Sequence, residues 1–168
     1  MAALQLIRKR ALPNLRVHCF GIEQLNPIAD FVSFTLRPPQ DRIRHIYASC
    51  DVWLTASHSE GFNLPAMEAM ACRTPVVATR TGWPAEAIVD GWNGACVDVG
   101  DVEALATETE RILQLPDERW RLMSDRAYET VRNASWESSA DQFEAQLIRL
   151  AAIKDAAGAS VSSVSRDC

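Results

Sequence analysis

Between Leu15 and Val99, short apolar runs alternate with stretches of helical spacing, and this alternation constrains the fold more than any other feature of the sequence. Consecutive strands that are separated by helices run parallel, because each helix returns the chain to the end where the previous strand began. The sequence therefore predicts an α/β fold, a single domain with a doubly wound parallel sheet that binds ligands beyond the carboxyl ends of its strands. The predicted strands are residues 15–21, 29–35, 51–55, 75–78 and 95–99.

Helical patterns occupy most of the remaining sequence. Asp101 and Ser135 are suitable N-caps for two of the later helices, because their side chains can accept hydrogen bonds from the first turn. The small and polar residues 156–168 predict a disordered tail, so the predicted domain covers residues 1–155. The predicted helices are residues 1–10, 40–49, 64–72, 85–89, 101–113, 116–132 and 135–154.

The composition argues against several classes of protein. A net charge of −5 does not suit binding through the nucleic-acid backbone, so no nucleic-acid partner is expected. No apolar run approaches the ~20 residues that a membrane-spanning helix needs. The five cysteines are odd in number and widely spaced, without a C-x-x-C pair, so neither a zinc site nor a disulfide framework is indicated. Reduced cysteines of this kind indicate a cytoplasmic location.

The segment Ser59–Met70 carries the strongest chemical signal. It places Glu60 and Glu68 around a flexible glycine and a proline that suits a helix start. Backbone N–H groups at a helix N-terminus hold phosphate, and carboxylates accept hydrogen bonds from sugar hydroxyls. Each glutamate alone could equally be a solvated surface residue. Glu68, however, lies in an apolar stretch where a lone charge is costly without a partner, so the combination favours a binding site.

Two other kinds of site find less support. His58 lies close to Glu60 in the same loop, but loop histidines are usually solvated, so a catalytic role is the weaker interpretation. The histidines show no metal-ligand spacing with the acidic residues, and no metal site is predicted. No G-x-G-x-x-G motif follows any strand, which argues against a nicotinamide-dependent enzyme.

With these motifs, the chain resembles the retaining glycosyltransferases of family 4, which have the GT-B fold of two Rossmann-like domains. The resemblance rests on Glu60 and Glu68 within EGFNLPAMEAMACRTPVVAT. It is supported by the sequences GWPAE, which begins at Gly82, and DGWNG, which begins at Asp90. It runs from about residue 4 to residue 150 and covers only the C-terminal, donor-binding domain. The implied fold is therefore a Rossmann-like domain that forms the C-terminal half of a GT-B fold.

The resemblance implies a role for each residue of the motif. Glu68 would accept hydrogen bonds from the ribose hydroxyls of a nucleotide diphosphate sugar, and Glu60 would act as the catalytic residue beside the transferred sugar. Residues around Gly82, with Trp83 beside them, would border the base. No cofactor and no metal are implied, since the nucleotide diphosphate sugar is the donor substrate. Main-chain N–H groups for the diphosphate and the sugar would come from Gly61, Phe62, Asn63 and Leu64.

The sequence also departs from the family pattern. Asn63 and Arg73 stand where the family often has glycine, at positions that favour left-handed backbone angles. The Arg and Lys that clamp the diphosphate in the family would lie before Met1, and the basic residues 8–10 occupy the helix that follows. The acceptor-binding N-terminal domain has no counterpart in the sequence. We therefore expect a fragment: a truncated gene product, an isolated domain or one subunit of a split enzyme.

Two functions stay open at this point. The leading one is the donor-binding domain of a glycosyltransferase that moves a sugar from a nucleotide diphosphate sugar to an acceptor with retention. Such a domain would be inactive alone and would need an N-terminal acceptor domain, in cis or in trans. The alternative is a non-catalytic nucleotide-sugar-binding module or a partner subunit of a split transferase. The donor base, the sugar, the acceptor and any association with a membrane surface are left open.

Overall fold

The computed structural model describes residues 1–24, 26 and 28–164, with side chains as far as residue 154. It contains two compact units, Met1–Arg132 and the segment that begins at Asn133. The first unit holds the strands and the predicted site, whereas the described part of the second unit is one long helix.

The strands of the first unit form two parallel sheets. β1 (Val17–Gly21) pairs with β2 (Val32–Leu36), and β3 (Trp53–Thr55), β4 (Val76–Thr79) and β5 (Gly94–Val97) follow one another in the second sheet. All five strands lie where the sequence predicts them, and the parallel α/β fold is confirmed. The single sheet that we expected is instead divided between β1 and β3, which do not pair within the described residues.

The helices of the first unit cover both faces of the second sheet. All four residues of β4 are buried, as expected for a parallel strand with helices on both sides. On one face, Val76 belongs to a cluster with Tyr47 and Met70. On the other face, Val77 belongs to a cluster with Ile7 and other apolar side chains. The helices are α1 (Ala2–Arg10), α2 (Gln40–Ala48), α3 (Leu64–Ala71), α4 (Pro84–Ala87), α5 (Val102–Leu113) and α6 (Asp117–Val131).

Local contacts explain where α3 and α5 end and begin. The side chain of Asp101 accepts a hydrogen bond from the Ala104 N–H at 2.8 Å, which confirms the predicted N-cap of α5. Arg73 follows α3 and has a φ of 64°. This is the left-handed conformation expected at a position where the family often has glycine. The Arg73 guanidinium pairs with Asp125 and lies 4.4 Å from the centroid of the Tyr128 ring. These contacts offset part of the steric cost of a non-glycine residue there.

The second unit consists of α7 (Trp136–Val164) as far as it is described. Ser135 caps this helix as predicted, because its Oγ accepts a hydrogen bond from the Ser138 N–H at 3.0 Å. The backbone of residues 156–164 continues this helix, whereas the sequence predicts a disordered tail of residues 156–168. Residues 165–168 lie outside the described residues, and the proposed domain limits of 1–155 stay a prediction.

Candidate functional site

The loop of residues 56–63 connects the carboxyl end of β3 to α3 and carries most of the predicted site residues. Thr79, the last residue of β4, donates from its Oγ1 to the Ser57 carbonyl oxygen at 2.6 Å. This bond fastens the loop to the neighbouring strand. The motif therefore lies at the carboxyl ends of two adjacent parallel strands, where doubly wound sheets bind their ligands.

The Glu60 carboxylate is held by its own loop. Ser57 Oγ donates to Glu60 Oε1 at 2.6 Å, and Ser57 Oγ lies 3.4 Å from Thr55 Oγ1. Charge-assisted hydrogen bonds of this kind are among the stronger ones in proteins. The Glu60 side chain is half-buried, so the bond restricts its position while leaving the group accessible. A fixed, accessible carboxylate suits contact with a sugar, which is the role predicted for Glu60.

Asn63 shapes the start of α3. Its φ of 78° and ψ of 59° are left-handed, and its side chain is only 5% exposed. Its Nδ2 donates to Thr55 Oγ1 at 3.2 Å, whereas its side chain makes no capping bond to α3. The positive end of α3 is therefore not neutralised by its own N-cap residue. An anion at this end would be stabilised by the helix dipole, whereas Pro65 has no N–H and the Ala66 N–H already donates to the Asn63 carbonyl oxygen at 3.1 Å.

Gly82 packs directly against this loop. Its φ is +57°, and a Cβ built at this position would lie 2.8 Å from the Phe62 carbonyl oxygen and 3.0 Å from Glu60 Cβ. The Trp83 N–H donates to the same carbonyl oxygen at 2.8 Å. The Phe62 and Trp83 rings stack with centroids 5.9 Å apart and an interplanar angle of 21°. The structure thus brings Gly82 together with Glu60 and Phe62, residues that are about twenty positions away in the sequence.

Glu68 lies about one turn along α3 and contacts α2. The Tyr47 hydroxyl donates to Glu68 Oε2 at 2.9 Å. Burial, together with the hydrogen bond to Glu68, raises the pKa of Tyr47, so the hydroxyl stays protonated and remains a donor. A carboxylate offers about four lone-pair sites, and Glu68 is exposed, so it can accept further hydrogen bonds from a ligand. Because Glu68 is exposed, the contact with Tyr47 orients the carboxylate and is not needed to offset burial of its charge.

The other predicted residues are exposed. Gly61 has no atom within 4 Å of a Cβ built on it, and Leu64 is 46% exposed at the start of α3. His58 is also exposed. Arg8 and Arg10 are engaged elsewhere: Arg8 bonds to Asp30 at 3.2 Å, and Arg10 bonds to acidic residues of α5. As the sequence indicates, these basic residues do not replace a diphosphate clamp.

Three side chains that support the site were missed in the sequence. Thr55 orients Asn63, and Ser57 orients Glu60. Tyr47 orients Glu68. The spacing of Ser57 three residues before Glu60 was a usable signal, because serine side chains commonly bond to nearby loop groups. Tyr47 lies 21 residues before Glu68 and becomes its neighbour only through the fold.

Two further features are absent from the part of the chain that the structure describes. Across the described residues, no group of three or more histidine, cysteine, aspartate or glutamate side chains is arranged to hold a metal ion. None of the helices within the described part of the chain is long and apolar enough to cross a membrane.

Comparison with known proteins places this arrangement in a family. The family model described as "Glycosyl transferases group 1" matches residues 2–130, which include the whole predicted site. The chain belongs to the group 1 glycosyltransferases. The fold agrees with this assignment, since this glycosyltransferase chain has the parallel α/β arrangement of one Rossmann-like half of a GT-B structure.

Curated relatives of this glycosyltransferase chain are considerably longer. D-inositol 3-phosphate glycosyltransferase from Thermobifida fusca is 37% identical over 130 residues, which are 77% of this chain and 28% of the relative. The protein of the same description from Rhodococcus opacus is 32% identical over 155 residues, which are 83% of this chain and 34% of the relative. The chain thus spans about a third or less of the length of these relatives.

Solved structures show the same partial correspondence. Sucrose-phosphate synthase from Thermosynechococcus elongatus superposes with a TM-score of 0.74 at 25% identity, over 90% of this chain and 42% of that one. The C-terminal domain of a group 1 glycosyltransferase from Francisella tularensis gives a TM-score of 0.55 at 30% identity, over 61% of this chain and 52% of that domain. Anabaena HepE, solved with UDP-glucose, shares the fold at 24% identity and a TM-score of 0.61.

Proposed function

We propose that this chain is the donor-binding half of a retaining glycosyltransferase that uses a nucleotide diphosphate sugar. The observation that carries the proposal is the Glu60 carboxylate, held by Ser57 at 2.6 Å beside the N-terminus of α3, which its own N-cap side chain leaves uncapped. A diphosphate at the helix end would place an attached sugar next to this carboxylate. The names of the relatives, D-inositol 3-phosphate glycosyltransferase, agree with sugar transfer.

Each site residue has a role under this proposal. Glu60 contacts the transferred sugar near the reacting carbon, where a fixed negative charge stabilises the positive charge that develops there. Glu68, held by Tyr47, accepts hydrogen bonds from the ribose hydroxyls. Gly61, Phe62, Asn63 and Leu64 form the segment that faces the diphosphate, and Gly82 and Trp83 border the base. The donor is a substrate, and the proposal includes no cofactor.

The proposal also concerns what completes the enzyme. A chain that spans about a third or less of its relatives needs an acceptor-binding N-terminal domain, in cis or in trans, for transfer. The same fact supports the alternative, a nucleotide-sugar-binding module or a subunit of a split transferase. Addition of the acceptor domain distinguishes these two functions. A donor-binding half would then transfer sugar, whereas a non-catalytic module would not.

We further propose a reducing, cytoplasmic location. Burial raises the pKa of the Cys96 thiol to about 11, and desolvation also raises the pKa of Cys19, Cys50 and Cys72. These four cysteines are free, with no disulfide among the described residues, which supports a reducing compartment.

The first prediction concerns the isolated chain. We expect the purified 168-residue protein to bind a nucleoside diphosphate weakly and to transfer no sugar, because the diphosphate clamp and acceptor wall are not supplied by its described residues. Calorimetric titration with UDP, GDP and ADP in turn measures the affinity, and release of nucleoside diphosphate from UDP-glucose measures turnover. Sugar transfer by this chain alone would contradict the prediction that it needs a second domain.

The second prediction concerns Glu68. Glu68→Ala should weaken nucleoside diphosphate binding by ~1–3 kcal/mol, the cost of losing charged hydrogen bonds to the ribose. Tyr47→Phe is the matched control, because it removes the 2.9 Å bond to Glu68 but keeps the carboxylate. A larger loss of affinity in Glu68→Ala than in Tyr47→Phe, measured by calorimetry, supports direct contact. Unchanged affinity in Glu68→Ala would remove Glu68 from the site.

A further inference from the structure

Four side chains in and before the loop between β3 and α3 form a relay of hydrogen bonds. Asn63 Nδ2 donates to Thr55 Oγ1 at 3.2 Å, and Thr55 Oγ1 lies 3.4 Å from Ser57 Oγ. Ser57 Oγ in turn donates to Glu60 Oε1 at 2.6 Å. The relay therefore begins at the residue that precedes α3 and ends at the carboxylate that is proposed to contact the transferred sugar.

The order of the relay determines which group donates in each contact. An ionised carboxylate can only accept, so Ser57 gives its single hydroxyl proton to Glu60. At the contact between Thr55 and Ser57, the Thr55 hydroxyl is therefore the donor. Asn63 Nδ2 donates to the lone pairs of the same Thr55 oxygen. Each proton thus points along the relay towards Glu60, an arrangement in which successive hydrogen bonds polarise and strengthen one another.

Asn63 acts on the weakest contact of the relay. The distance of 3.4 Å between the Thr55 and Ser57 oxygens is longer than that of a usual O–H···O bond. A hydroxyl oxygen can accept as well as donate, so Ser57 could give its proton to Thr55 instead of Glu60. The N–H of Asn63 occupies Thr55 Oγ1 and disfavours that alternative. Asn63 thereby keeps the Ser57 proton directed at the carboxylate.

The fold holds both Asn63 and Ser57 in place. The Asn63 side chain is only 5% exposed, and its carbonyl oxygen accepts the Ala66 N–H of α3 at 3.1 Å. The Ser57 carbonyl oxygen accepts a hydrogen bond from Thr79 Oγ1 of β4 at 2.6 Å. The two residues are thus anchored to a helix and to a strand, so the relay between them has little freedom to rearrange.

Backbone stability does not explain an asparagine at this position. The φ of 78° is left-handed, and glycine adopts such angles at lower cost than any other residue. The side chain also makes no capping bond to α3. The contact that it does make is the one with Thr55, which leads towards Glu60.

We propose that Asn63 is a positioning residue, which holds the Glu60 carboxylate towards the transferred sugar through Thr55 and Ser57. This role rests on the function proposed above, in which Glu60 contacts that sugar. It belongs to the side chain of Asn63 and is separate from the main-chain contact with the diphosphate. A carboxylate that is already oriented needs less ordering when the sugar binds. Loss of the relay should therefore weaken binding of the sugar more than binding of the diphosphate.

Asn63→Gly tests the proposal, because glycine keeps the left-handed backbone and removes only the side chain. Arg73→Gly is the matched control, since it replaces another left-handed residue at the far end of α3 and lies outside the relay. Calorimetric titrations with UDP and UDP-glucose, and with the GDP and ADP pairs in the same way, give the affinity that the sugar adds. We expect Asn63→Gly to reduce this ratio of affinities about three- to tenfold and to change UDP binding less than about twofold. Arg73→Gly should leave the ratio unchanged.

A double-mutant cycle separates the relay from independent effects. Ser57→Ala removes the last bond directly, so Asn63→Gly should lower the ratio little further in its presence. Thr55→Val removes the hydroxyl at similar volume, should match Asn63→Gly, and decides the question if circular dichroism shows that Asn63→Gly is unfolded. Additive effects of Asn63→Gly and Ser57→Ala would overturn the proposal. An unchanged ratio in Asn63→Gly, or a ratio of one in the unmutated protein, would also overturn it.

The relay can also be measured without a ligand. The side-chain carboxyl ¹³C signal of Glu60, assigned by its loss in Glu60→Gln, reports the hydrogen bond from Ser57. We expect Asn63→Gly and Ser57→Ala to shift this signal in the same direction and Arg73→Gly to leave it in place. An unmoved signal in Asn63→Gly would overturn the relay. A shifted signal in a protein that binds none of the nucleotides would instead support the relay and contradict the proposed function.

Discussion

Replacing Gly94 with alanine is expected to lower the free energy of unfolding by about 3 kcal/mol or more. A Cβ at this position would collide with the Val76 carbonyl oxygen, which belongs to the backbone of β4, and would lie 3.3 Å from Ile88 Cγ2. Because Gly94 pairs with Val76 in the sheet, β5 can relieve this contact only by moving away from β4. Urea denaturation followed by circular dichroism measures the loss.

Gly91→Ala is the matched control for this substitution. Gly91 has a φ of +74° but no atom within 4 Å of a built Cβ, so alanine there pays only the cost of left-handed angles, roughly 1–2 kcal/mol. Because Gly94 does not have a positive φ, the difference between the two variants is a lower bound on the cost of the contact with Val76. Equal losses at Gly91 and Gly94 would show that β5 is not packed against β4 as closely as the structure has it.

Replacing Gly82 with alanine should affect both stability and ligand binding. The left-handed φ of +57° costs roughly 1–2 kcal/mol for alanine. The Cβ would in addition press on the Phe62 carbonyl oxygen at 2.8 Å, and overpacking of this kind costs about 1–3 kcal/mol. We expect a total loss of about 2–5 kcal/mol and a displaced loop at Glu60. Calorimetric titration of nucleoside diphosphate should therefore show about tenfold weaker binding or worse.

Two control variants separate these effects. Gly100→Ala, at a φ of +85° with no atom within 4 Å of a built Cβ, reproduces the left-handed cost without any contact at the site. Gly61→Ala lies in the loop itself but meets no atom within 4 Å, so it should leave stability almost unchanged. If Gly82→Ala binds nucleoside diphosphate as tightly as Gly100→Ala, the Gly82 contact does not position the loop.

Much of the fold could be predicted from the sequence because its signals are local. The five strands are short apolar runs that end at glycine, proline or loop residues, and each lies where expected. The start of α3 follows from Pro65, and Asp101 caps α5. These signals depend only on neighbouring residues, so they do not need knowledge of the tertiary structure.

The features that escaped prediction depend on contacts between distant segments. Tyr47 and Glu68 bond across α2 and α3, and Gly82 meets the Phe62 backbone across a loop and a strand. Hydrophobic periodicity shows which segments are strands but not which strands are neighbours, so the division between β1 and β3 could not be read from it.

Three aromatic side chains, from β1, α2 and β3, connect the core to Glu68. Tyr47 has its ring centroid 5.5 Å from that of Phe20 and 4.8 Å from that of Trp53, and its hydroxyl bonds to Glu68. A change in the packing of Phe20 or Trp53 would therefore shift Tyr47 and the hydroxyl that holds the Glu68 carboxylate. The packing of these three rings thus determines how firmly the Glu68 carboxylate is oriented.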